Sequence, residues 1–64
     1  MRQNLKDARK SMGYTQEHVA DLLHITPRYY QFIECGRNTG NVKLWDAMED
    51  IFGINQRILR ENYV

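Results

Sequence analysis

Start and stop signals for helices recur about every ten residues along this chain, and they leave room only for short helices. Gly13 stops a first segment and Thr15 starts a second. Only His24 and Ile25 separate that second segment from a third start at Thr26 and Pro27. There the threonine hydroxyl can accept from orphan amides, and the proline sits where a missing N–H does no harm. Gly36 ends the third segment about two and a half turns later. A polar loop, Arg37 to Gly40, leads to a further cap at Asn41, and Gly53 stops the fourth segment just before a cap at Asn55. No apolar run approaches the ~20 residues that span a bilayer, and no stretch alternates with the period of two that a strand needs.

Between these marks the apolar residues keep a helical period. Leu5, Ala8, Arg9 and Met12 share one face of the segment from Arg2 to Met12. Val19, Ala20 and Leu23 form the stripe of the second, with Glu17 in its first turn, where the helix dipole favours an anion. Tyr30 and Ile33 are the buried pair of the third. The fourth carries a wide stripe of Leu44, Trp45, Met48, Ile51 and Phe52. Ile54 and Leu59 bracket the Asn55 cap as a hydrophobic staple does, and Ile58 adds apolar area. The expectation is one compact, all-α domain of five helices over residues 1–64.

Size and composition exclude several classes of function. A chain of 64 residues buries only ~60% of its unfolded surface, and so few residues hardly supply the walls of a rigid pocket. Paired carboxylates, a nucleophile beside a base, and a phosphate loop are all missing in recognisable spacing, so no enzyme is expected. His18, His24 and Cys35 fit no zinc spacing, so neither metal nor other cofactor is expected. The single cysteine rules out an internal disulfide framework and reads as a small buried or half-buried thiol at a helix end. With no signal peptide, a cytoplasmic protein is expected. The net charge of +1 is unevenly spread: residues 1–40 hold six bases against four acids, and residues 41–64 hold three against four. A mildly basic face opposite an acidic helix is therefore permitted.

The third segment holds Arg28, Tyr29, Gln31 and Phe32 besides its buried pair, more large side chains than one stripe can bury. Two helices joined by a turn of about three residues make a helix-turn-helix, here over about residues 16–35. The stretch GYTQEHVADLLHITPRYYQFIECGR resembles that of the Cro and phage-repressor (XRE-type, lambda-repressor-like) family. The pattern runs T-Q-x-x-[VL]-A-x-x-[LV], a turn, then a helix ending I-E-x-G-[RK], and the likeness extends from about Asn4 to Leu59. Ala20 is small where two helices cross closely, and Arg9 and Glu34 match the family's ion pair between the first and third helices.

This resemblance implies binding to double-stranded DNA, with the third helix in the major groove and the second crossing the backbone. Pro27, Arg28, Gln31 and Phe32 are then the candidates for base contact. Arginine bonds guanine bidentately, whereas a phenyl ring reads only a thymine methyl or excludes water. Pro27 and Phe32 depart from the short polar residues or glutamine common in the family. Thr15, Gln16, Thr26, Tyr29, Arg37, Asn38 and Lys43 are the candidates for the phosphate backbone, Gln16 matching the family's glutamine at the start of the second helix. Tyr14, Thr39 and Asn41 flank the same face. The implied function is a sequence-specific transcriptional regulator, a repressor binding an operator as a homodimer. Ile54, Ile58, Leu59 and Tyr63 are its candidate dimer surface. A second reading, a protein-binding module of the same fold such as an antitoxin or adapter with a regulatory protein partner, is favoured by the near-neutral charge.

Overall fold

The computed structural model describes residues 1–62. Its helices are α1 (Gln3–Ser11), α2 (Gln16–Leu22), α3 (Pro27–Cys35), α4 (Val42–Phe52) and α5 (Gln56–Leu59), with no strand among the described residues. The four expected caps form. Thr15 Oγ1 accepts from the His18 amide at 3.0 Å, and Thr26 Oγ1 from Tyr29 at 3.1 Å. Asn41 Oδ1 accepts from Leu44 at 2.9 Å, and Asn55 Oδ1 from Arg57 at 2.8 Å. Each such bond satisfies a donor that the helix itself cannot. Gly36 and Gly53 end α3 and α4 at φ of +91° and +65°, where a Cβ would be strained. His24, where the family that the sequence resembles usually has glycine, adopts φ of +57° in the turn between α2 and α3.

The helices close around Leu5, Val19, Tyr30, Ile33, Trp45, Met48 and Leu59, all at most 1% exposed. Full burial of such a side chain contributes ~1.5–3 kcal/mol, which a chain this short needs from nearly every one. Ala20 is fully buried where α2 packs on α3, consistent with a close crossing. α1 packs on α3 and α5, and α4 on α5, so the C-terminal turn closes the side of the core that α2 and α3 leave open.

Two apolar residues sit elsewhere than expected. Met12 follows the last turn of α1 as its C-cap and is exposed, because the chain turns away there towards Gly13. Leu59 is fully buried where α5 meets α1 and α4. It is closed to any partner, and its place among the dimer candidates is corrected to the core. Ile54 is half-buried and Ile58 exposed. Tyr63 lies outside the described residues.

Candidate nucleic-acid interface

The inner side of α3 is fixed before its outer side is free to do anything. Arg9 Nε donates to Glu34 Oε2 at 2.9 Å and its Nη2 to Oε1 at 3.1 Å, a bidentate pair with side chains only 10% and 4% exposed. Arg9 Nη1 also donates to the Tyr14 carbonyl at 2.8 Å, and Gln16 Nε2 to Glu34 Oε1 at 3.2 Å. One carboxylate thus joins α1, the start of α2 and the last turn of α3. Burial alone would raise the Glu34 carboxyl, but the hydrogen bonds and charge of Arg9, aided by Gln16, outweigh it and hold the group below the usual carboxylate range. The same bond to Glu34 raises the Arg9 guanidinium against the opposing effect of burial. Burial, and then the nearby carboxylate, push the Tyr30 phenol far up, so it stays neutral beside the pair without meeting hydrogen-bond geometry.

With Tyr30, Ile33 and Glu34 turned inward, the helical period turns Pro27, Arg28 and Gln31 to solvent and leaves Phe32 half-buried. All four line one open groove with Gln16 and Arg37. The Arg28 guanidinium carbon lies 5.9 Å from the centre of the Phe32 ring, one turn further along the same face. Glu17 and Cys35 complete the groove wall, and neither stood among the candidate residues. A helix with its side chains is ~10–12 Å across, comparable with the ~12 Å width of a B-DNA major groove.

The remaining candidates divide by what already occupies them. Thr15 and Thr26 are exposed but their hydroxyls serve as caps. Gln16 uses one amide hydrogen on Glu34, leaving its oxygen and the other hydrogen for a ligand. Tyr29 is half-buried and packs against the core, as do Tyr14 and Ile25. Asn38 closes its own turn: its Oδ1 accepts from the Gly40 amide at 2.9 Å. Arg37 and Lys43 are exposed on either side of that turn. Trp45 holds the loop between α3 and α4, donating to the Thr39 carbonyl at 2.7 Å. At Gly40 (φ +69°) an added Cβ would lie 3.1 Å from the Trp45 ring nitrogen, so this position needs a glycine twice over.

Arg2 is the residue whose role the sequence concealed. One of the six bases of residues 1–40, it is 5% exposed and reaches across the domain. Its Nη1 donates to the Ile33 carbonyl at 2.6 Å and the Asn38 carbonyl at 2.7 Å, and its Nε to the Arg60 carbonyl at 3.2 Å. The guanidinium carbon lies 5.2 Å from the Trp45 ring centre. Burial, then repulsion from Arg60, lowers its pKa from a value far above neutrality. Its place three residues before Leu5, on the α1 stripe, is the signal that could have revealed it.

Among the described residues no group of three or more His, Cys, Asp or Glu is placed to hold a metal ion, and no helix is long and apolar enough to cross a membrane. A model of the helix-turn-helix family matches residues 5–55. Among curated proteins, the SPbeta prophage-derived uncharacterized HTH-type transcriptional regulator YonR of Bacillus subtilis (strain 168) is 33% identical over 57 residues. That match covers 89% of this chain and 53% of YonR, so the chain spans about half the length of the curated relative it matches. No solved structure matches.

Proposed function

Since the chain belongs to the Cro/C1-type (XRE) helix-turn-helix family, we propose that it binds double-stranded DNA in a sequence-specific way and represses transcription by covering operator DNA as a homodimer. One observation carries this reading. The exposed side chains of α3 converge with Gln16 and Arg37 on a single groove, while the helix behind them is locked by the buried Arg9–Glu34 pair. In this reading α3 enters the major groove by its N-terminal half. Arg28 reads a guanine through O6 and N7, Gln31 bonds a neighbouring base, Pro27 supplies apolar contact, and Phe32 excludes water beside Arg28. Gln16, Arg37 and Lys43 meet phosphates on either side, with Thr15, Thr26, Tyr29 and Asn38 contributing less because caps, core or turn already engage them.

Arg28 provides the test. As a bidentate reader it contributes ~1–3 kcal/mol of discrimination at one base pair per half-site. Arg28→Ala is expected to weaken binding to a selected duplex about tenfold or more and to relax preference at one position, with folding intact. Arg37→Ala is expected to weaken selected and scrambled duplexes alike, lowering the salt slope by about one. Equal loss on both duplexes for Arg28→Ala would mean that Arg28 touches only the backbone, and base reading by α3 would be wrong.

The proposed dimer surface holds the exposed Ile58 and the half-buried Ile54, four residues before it, while the third candidate, Tyr63, lies outside the described residues. Two-fold pairing sets recognition helices about 34 Å apart, one turn of the duplex. Ile58→Asp, a change at a position already 47% exposed, should leave the melting temperature nearly unchanged. It is expected to abolish cooperative occupation of two half-sites in a footprint titration. Cooperativity equal to the parent protein's would remove Ile58 from the interface.

A further inference from the structure

We propose that Phe32 is a positioning residue for Arg28: its ring face holds the guanidinium in the plane from which that arginine reads a base. The inference rests on base reading by Arg28. Three observations lead to it. The two side chains are four residues apart on α3, so they stand on one face in adjacent turns. The guanidinium carbon is 5.9 Å from the ring centre, within the range where the negative face of a phenyl ring attracts a cation. Phe32 is half-buried and Arg28 exposed, so the ring is the better-anchored partner and the arginine the one oriented.

The chemistry of the partner matters as much as its position. No carboxylate among the described residues pairs with Arg28, although Glu17 lines the same groove. A carboxylate would take up the guanidinium's donor fork and compete with guanine for it. A ring restrains the group through its flat face and accepts none of its N–H bonds in plane, so all five donors remain available. Docking against DNA also removes water from the pair, which strengthens an attraction that is weak in solvent. Phe32 on this account is no independent reader of a thymine methyl. It lowers the entropy that Arg28 loses on binding and restricts the angle at which the fork is presented.

The test uses the duplex recovered by selection from random DNA, together with its single-base-pair variants, in binding titrations of the whole chain. Phe32→Leu keeps an apolar side chain and removes the aromatic face. It is expected to reduce discrimination between about fivefold and thirtyfold, and only at the base pair whose preference Arg28→Ala relaxes. Phe32→Tyr and Phe32→Trp should retain discrimination there within about twofold, since both keep a ring face. In the Arg28→Ala background, Phe32→Leu should change discrimination at that pair no further. The inference is overturned if Phe32→Leu relaxes a different base pair, if its effect persists undiminished without Arg28, or if it matches the parent. Any of these, with Arg28→Ala still relaxing its own position, leaves base reading standing and removes only the positioning role. Loss of base preference in neither variant would remove both.

Discussion

Glu34→Ala is expected to lower the stability of the folded domain by about 3–5 kcal/mol at neutral pH, read from denaturant unfolding. The loss exceeds the worth of the pair itself. Removing the carboxylate leaves the Arg9 side chain, 10% exposed, with the Tyr14 carbonyl but no counter-charge, and frees the Gln16 amide that shares the same oxygen. For a domain of this size such a loss is a large part of all the stability there is. The pH dependence follows from the sign of the Glu34 shift. A carboxyl held below its ordinary range when folded binds its proton more readily when unfolded. Its contribution is therefore complete above the usual glutamate value of about 4.3 and is lost as pH falls through the lower folded value. The stabilities of parent and Glu34→Ala should converge as the solution is acidified through that window. An unchanged unfolding midpoint in Glu34→Ala would show that the pair does not hold α1 to α3.

Arg2→Ala is expected to cost about 2–4 kcal/mol, because it takes one donor from the Ile33 carbonyl and another from the Asn38 carbonyl and uncovers one face of Trp45. The Ile33 carbonyl belongs to the last turn of α3 and that of Asn38 to the loop leading to α4. One side chain from the second residue of the chain thereby ties off the end of α3 and the loop that leads to α4. Arg2→Lys separates donor geometry from charge. A lysine keeps the charge but not the planar fork that reaches several carbonyls at once, so it should recover less than half of the loss. Thermal unfolding of the three proteins is the measurement. Arg2→Ala melting with the parent would mean that water replaces the side chain at no cost.

Much of this protein was legible along the chain because the signals concerned act within one turn of backbone. Thr15, Thr26, Asn41 and Asn55 bond amides two or three residues away, and Gly36 and Gly53 supply a backbone angle at their own positions. Helical periodicity likewise separated Tyr30 and Ile33 from Arg28 and Gln31 with no knowledge of what covers them. The Arg9–Glu34 pair, 25 residues apart, was reached only through family likeness, although Arg9 on an apolar stripe hinted that it needed a partner. Leu59 and Ile58 could not be told apart in this way. Both are apolar neighbours in a four-residue helix too short for a stripe, and only the packing of α5 on α1 and α4 sends one inward. Arg2 was hidden for the same reason. Its partners, Ile33 and Asn38, lie 31 and 36 residues away, and a carbonyl bears no mark in the sequence of which side chain will reach it. The amino-acid order by itself determined the helices, their ends, the turn at His24 and the side of α3 left free. Which charges are buried and which apolar residues remain for a partner was decided by tertiary packing, because burial depends on what arrives from elsewhere in the chain.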